Sequence, residues 1–190
     1  INQHTRPGMN RTVPDAAQIH GTDPQHLIPK ILRERIYAST FWQDHLMGFP
    51  RDPCVVLMCT RLAFVGGCHA NQRPSPFLCC LLKALQLGLR GVVPELLACT
   101  GTTTSGTTTI QNTKDTQDAK HGKYALCLGL FLIRLTVEDA RQVYLQLEPH
   151  LHDHRRLKWR KQDGTFAIMH VDEFVQQLLG IGEGEGEAVF

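Results

Sequence analysis

The chain has 190 residues, of which 42% are hydrophobic and 20% charged, enough for one globular domain with a buried core. Its formal net charge of +2 is well short of the basic excess typical of a dedicated nucleic-acid binder. No apolar run approaches the roughly 18 residues of a membrane-spanning helix, since the longest stretch, 124–133, is too short.

In chain order, residues 1–19 read as a polar N-terminal arm without the basic-then-apolar order of a secretory signal. The chain starts on Ile1, so a fragment or processed product is expected. Asp23-Pro24, Asp52-Pro53 and Ser75-Pro76 share a helix-start signal, a capping side chain followed by a proline suited to the first helical position. Leu27, Ile28, Ile31, Leu32 and Ile36 then form one helical face. An aromatic segment, 37–46, predicts another helix closed by Gly48 and Pro50. Val55, Val56, Leu57, Met58 and Leu62 predict a more buried helix, as do Phe77, Leu78, Leu81, Leu82 and Leu85. Residues 92–99 read as a short helix.

Residues 100–109 are almost all Thr and Gly, and polarity continues to 122, so 100–122 reads as a low-complexity insertion. A buried helix is predicted over 124–135. Thr136 with Asp139 predicts a capping box for the next helix, with Val137, Ala140, Tyr144 and Leu147 on its inner face. Pro149 predicts a basic helix reaching about Trp159. Asp163-Gly164 is a turn signal, and Phe166 to Ile168 is strand-like. Val171, Phe174, Val175, Leu178 and Leu179 form a helical stripe with Asp172 and Glu173 in its first turn and Gly180 at its end. Residues 181–190 are a Gly/Glu-rich tail. The expected fold is all-α: a compact bundle of short helices spanning 20–180, with at most one small β-hairpin near 160–170.

The seven cysteines, Cys54, Cys59, Cys68, Cys79, Cys80, Cys99 and Cys127, are odd in number and mostly flanked by apolar residues. They read as reduced, buried thiols of an intracellular protein rather than a disulfide framework.

Several segments resemble one family, pre-mRNA-splicing factor 38. They are His20-Gly21-Thr22-Asp23-Pro24-Gln25 with Arg33-Glu34-Arg35-Ile36-Tyr37 and Phe41-Trp42; Leu62 to Gly67 with Asn71 and Arg73 to Leu78, then Leu82-Lys83-Ala84-Leu85-Gln86; Tyr124 and Leu128 to Thr136; Leu147-Glu148-Pro149, Asp153 and Arg155-Arg156; and Gly164-Thr165-Phe166 with His170 to Phe174. They run in family order over about 19–180. Cys68-His69-Ala70-Asn71 departs from the family's Tyr-Gly-Gly-Asn, and His150, His152 and His154 are also departures. The resemblance implies a nuclear, all-helical, non-enzymatic scaffold of the spliceosome, acting at the tri-snRNP and activation stage. The partners it implies are a small zinc-finger splicing protein and a helical peptide of a microfibrillar-associated-protein-1-like protein.

The residues suggest where such partners would bind. Between two buried helices, Gly66 and Gly67 permit close backbone approach, and Pro74 and Pro76 stiffen the chain. A rigid loop of this kind suits docking, with Asn71 and Arg73 as contacts. Arg33, Arg35 and Lys83 would line neighbouring grooves and set partner choice. Asp172 and Glu173 are further candidates, although helix capping accounts for them and for His170 more simply than acid–base chemistry does. The segment holding Arg155, Arg156, Lys158 and Lys161 around Trp159 is the candidate for RNA contact, by phosphate pairing and base stacking. Its competing account is a solvated face with Leu157 and Trp159 turned inward. On a helix only His150 and His154 share a face, too few ligands for zinc, so no metal or other cofactor is expected.

Overall fold

The computed structural model describes residues 10–14, 16–19, 21–99 and 118–180. The N-terminal arm up to residue 9, the Thr-rich stretch 100–117 and the tail 181–190 lie outside the described residues, so the expectations about them are not addressed by the structure.

The chain is mostly helical, as expected. Its helices are α1 (Lys30–Ala38), α2 (Thr40–His45), α3 (Arg51–Arg61), α4 (Pro76–Leu87), α5 (Leu89–Ala98), α6 (Asp118–Thr136), α7 (Ala140–Leu147) and α8 (Val171–Leu179). Two antiparallel hairpins interrupt them: β1 (Cys68–His69) with β2 (Arg73–Pro74), and β3 (Arg156–Arg160) with β4 (Phe166–His170). Among the described residues no helix is long and apolar enough to cross a membrane.

Two buried helices form the centre. In α4 every residue from Phe77 to Gln86 is buried, and in α6 Tyr124 to Ile133 are buried without a break. The other helices cover these two, with α3, α5, α7 and α8 all packing on α6. Gly129 permits the close approach of α5, because a Cβ there would meet Leu97 Cδ2 at 3.1 Å.

The start signals act unequally. Ser75 caps α4, its hydroxyl accepting from Leu78 N–H at 3.1 Å, and it donates to the buried Gly66 carbonyl. Asp23 caps only a 3-10 turn, Pro24–Leu27, and Pro29 separates that turn from α1. Asp52 does not cap; α3 begins one residue earlier, after Pro50.

Four further expectations are corrected. Thr136 ends α6 rather than starting α7, its hydroxyl donating to the Leu132 carbonyl at 2.7 Å, and Asp139 caps α7. The inner face of α7 is Val143 and Leu147, while Tyr144 is exposed. Helix α6 begins at Asp118, before the start predicted at Tyr124 and inside the stretch 100–122 read as a low-complexity insertion. Pro149 opens only a 3-10 segment, Glu148–His152, and the basic run beyond it is strand β3. Asp153 explains that change. Its carboxylate accepts from Arg155 N–H at 3.1 Å, an Asx turn that competes with helix, and 156–160 then alternate in a period of two with Leu157 buried.

Three motif segments close on one another around a buried polar network. Gln86 Nε2 donates to Tyr37 Oη (3.1 Å) and to Gln25 Oε1 (3.3 Å), and Gln25 Nε2 donates to Asp23 at 3.0 Å. The network ties the segment before α1 to α1 and α4, and it satisfies polar atoms that would otherwise be costly to bury.

Candidate protein-interaction surface

The loop between α3 and α4 is stitched to the β3–β4 hairpin through its backbone. Val65 N–H donates to the Lys158 carbonyl at 2.8 Å, and Arg160 N–H donates to the Val65 carbonyl at 2.8 Å. Ala70 N–H donates to Gln162 O at 3.0 Å. A Cβ at Gly66 would stand 2.8 Å from the Arg160 carbonyl, and its φ is +154°, so only glycine suits this crossing. The predicted close approach is therefore real. The loop is not simply extended, however; it turns back as the β1–β2 hairpin, with Cys68 opposite Pro74 and His69 opposite Arg73.

The tip of that hairpin is held in left-handed backbone, Asn71 at φ 60° and Gln72 at φ 58°. Asparagine tolerates this region; glutamine does so at a cost of about 1–2 kcal/mol. A cleft of about 380 Å³ lies behind the tip, lined by Leu32, Cys68, His69, Trp159, Arg160 and Gln162 among others. His69 Nδ1 is buried without a hydrogen-bond partner; so is Arg160 Nε, whose guanidinium lies over the Phe64 and Phe166 rings. Burial, with Arg160 and Arg73 nearby, holds the His69 imidazole below its ordinary pKa and favours the neutral ring. Helix α1 packs beside β2. Exposed Arg35 is near enough to Cys68 for its charge to act on that thiol.

Arg35, Asn71 and Arg73 therefore belong to one exposed neighbourhood at the cleft, and Arg33 is a half-buried neighbour on α1, toward Tyr37. Lys83 does not. It is 7% exposed, its ammonium 5.9 Å above the Trp42 ring centroid, and burial lowers its pKa. The expectation that Lys83 lines a surface groove is corrected: α4 is buried on every side.

Asp172 and Glu173 are engaged within the chain. Glu173 accepts from His170 N–H at 2.9 Å and caps α8. Asp172 meets His154 Nδ1 at 3.2 Å. His150 and His152 lie on the 3-10 segment, and among the described residues no three His, Cys, Asp or Glu side chains converge.

The basic segment divides. Arg155 grips Asp153, with Nε at 2.9 and 3.0 Å and Nη2 at 2.6 Å, and leaves the candidate RNA set. Arg156 and Lys158 are exposed on one face of β3. Lys161 follows in the turn, 5.8 Å from the Trp159 ring centroid. Leu157 points inward on the other face, as its competing account held, though on a strand rather than a helix.

The Asp153 carboxyl carries a pH prediction. Burial alone would raise its pKa, but side-chain and backbone hydrogen bonds from Arg155 outweigh burial and leave it lowered. A carboxyl lowered on folding stabilises the native state above its unfolded value of about 3.9, and that contribution is lost as pH falls through the folded value. Arg155→Ala should therefore cost stability at neutral pH and make unfolding less steep below pH 4. Urea midpoints measured across pH would check this; equal losses at every pH would refute it.

Sequence reasoning missed the Cys59–Cys99 disulfide, which joins the end of α3 to the residue after α5 with a Cα separation of 6.2 Å. This corrects the reading of all seven cysteines as reduced. The other five are free, and burial raises every one of their pKa values, Cys79 to about 11. That opposes a nucleophilic thiolate.

Comparison with known proteins agrees with this architecture. The PRP38 family model matches residues 17–181. The chain is 40% identical over 172 residues to pre-mRNA-splicing factor 38A of Xenopus laevis and 39% identical to that of Homo sapiens, covering 90% of this chain and 48% of each relative. It thus spans about half the length of these relatives. Its fold is similar to a chain in the crystal structure of the Snu23–Prp38–MFAP1 complex of Chaetomium thermophilum, with a TM-score of 0.65 and 33% identity, covering 84% of this chain and 73% of that one. With the motif segments tied together in the fold and matched across nearly all of it, the chain belongs to the PRP38 family.

Proposed function

We propose that this domain is a non-enzymatic interaction scaffold of pre-mRNA splicing, working in the nucleus at the tri-snRNP and spliceosome-activation stage. The observation that carries the scaffold reading is the cleft behind the β1–β2 hairpin, where His69 Nδ1 is buried without a partner and exposed Arg35 and Arg73 lie on the neighbouring α1 and β2. A pocket of that kind suits an anchoring side chain, while the two arginines select an acidic flank. The partners are other splicing proteins: a zinc-finger protein and a helical peptide resembling MFAP1. The complex containing the structural relative supports this choice, since that assembly holds Snu23 and MFAP1.

Arg35→Glu with Arg73→Glu should weaken binding of an MFAP1-like peptide at least tenfold in low salt, measured by calorimetry. Arg141→Glu, an exposed change on α7, should leave it unaltered. Equal affinity for all three proteins would remove this surface from the reading.

A second reading, direct RNA contact, rests on Arg156 and Lys158 sharing one exposed face of β3. It requires affinity that falls steeply with salt and collapses when both are neutralised.

A further inference from the structure

The outer face of the β3–β4 hairpin carries cations and exposed apolar side chains together. Cross-strand pairing places Arg156 opposite His170, Lys158 opposite Ile168 and Arg160 opposite Phe166. Because side chains alternate across a strand, all six share one face. A row of three cations therefore runs beside Ile168 and Phe166, which are 69% and 53% exposed. Phe64 extends the apolar part, its ring edge-on to Phe166 at 5.4 Å. Phe64, Phe166, Ile168, Ala63, Ala167 and Lys158 line a groove of about 390 Å³. Among the described residues, Arg156, Lys158 and Arg160 form no ion pair.

The face has an order. The Arg156 end adjoins α8, because His170 leads directly into that helix. The Arg160 end holds the apolar groove. The chain's own tail has the same order. Glu183, Glu185 and Glu187 stand at every second position, and Val189 and Phe190 follow. Both series repeat at about 6.6 Å when extended.

We infer that residues 183–190 of this chain dock on the hairpin face, Glu183, Glu185 and Glu187 against Arg156, Lys158 and Arg160, with Val189 and Phe190 in the Phe64–Phe166–Ile168 groove. This goes beyond the scaffold reading and does not rest on it. The reach is sufficient. Helix α8 carries the chain about 14 Å from His170. Three extended residues can cover about 10 Å of that, and long Glu and Arg side chains can span the rest. Exposed ion pairs are individually weak, which argues against a free peptide as occupant. A tethered segment has a high effective concentration, so a weak series suffices in cis.

The test uses the full chain with Phe190→p-benzoylphenylalanine, irradiated at several protein concentrations, with cross-links mapped by mass spectrometry. The expected product is intramolecular, independent of concentration, and joins position 190 to the peptides holding Phe64 or Phe166 and Ile168. Its yield should fall at least fivefold in Arg156→Glu/Lys158→Glu, and equally in Glu183→Lys/Glu185→Lys. The four changes together should restore it. Restoration by the four changes together separates a lost contact from a folding defect. Cross-links joining two molecules would assign the face to a second copy and overturn the proposal. Cross-links to other faces, or a yield indifferent to charge reversal, would leave the face to an outside protein or RNA and overturn it equally.

Discussion

Trp42→Ala should destabilise the domain by about 3–5 kcal/mol, the range for truncating a fully buried aromatic. Trp42 is 0% exposed and joins three parts of the chain. Its Nε1 donates to Asn10 Oδ1 at 3.1 Å, its ring lies 5.2 Å from that of Tyr37, and Lys83 sits over its face. Removing the ring leaves a cavity and deprives the buried Lys83 ammonium of its aromatic partner. At about 2–4 °C per kcal/mol for a domain of this size, the melting temperature should fall by roughly 6–20 °C. Trp42→Phe keeps a ring and loses mainly the bond to Asn10, so it should cost about 1 kcal/mol. Thermal melts of the two variants would decide the matter. A drop below 2 °C for Trp42→Ala would mean that the ring is not a structural anchor.

The behaviour of Lys83 shows where sequence reading stopped. Phe77, Leu78, Leu81, Leu82 and Leu85 share one arc of α4, and helical spacing puts Lys83 on the opposite side, where the pattern leaves room for solvent. That side is buried as well, with Cys79, Cys80 and Lys83 itself, because distant elements pack on it, and no local pattern reports that. Local chemistry was legible: the Ser75 cap, the stripe of α8 and the Asp163-Gly164 turn all stand where the residues put them. Asp163 even holds its turn by accepting from Thr165 N–H at 2.7 Å. What failed was arbitration between periods. Residues 156–160 carry a strand alternation that a basic run next to Pro149 disguised as helix. Contacts across long separations were illegible in principle. Nothing local says that Gln25 meets Gln86, or that Gly66 lies under the Arg160 carbonyl. The family motifs marked those residues as a set, and only the fold shows that the set is a buried network and a backbone crossing.

Reduction of the Cys59–Cys99 bond should lower stability by about 4 kcal/mol. The bond spans a sequence separation of 40 residues, and opening a loop of that size restores entropy chiefly to the unfolded chain. The folded contacts around it do not depend on it. Val92 and Leu96 of α5 are buried, and Arg51 of α3 pairs with Glu95 of α5. Reduced protein should therefore stay folded, with a melting temperature lower by roughly 8–16 °C. Cys59→Ser/Cys99→Ser should melt at that same lower temperature and be indifferent to reductant. The comparison separates two accounts of stability. Among the reducing thiols of the cytosol and nucleus such bonds rarely persist. If the α4 and α6 core alone suffices, the variant remains a single cooperative unit. If reductant leaves the melting temperature of the unaltered protein untouched, the two sulfurs are not bonded in solution. Every cysteine then behaves as the sequence first suggested, a buried thiol held by packing rather than by covalent closure.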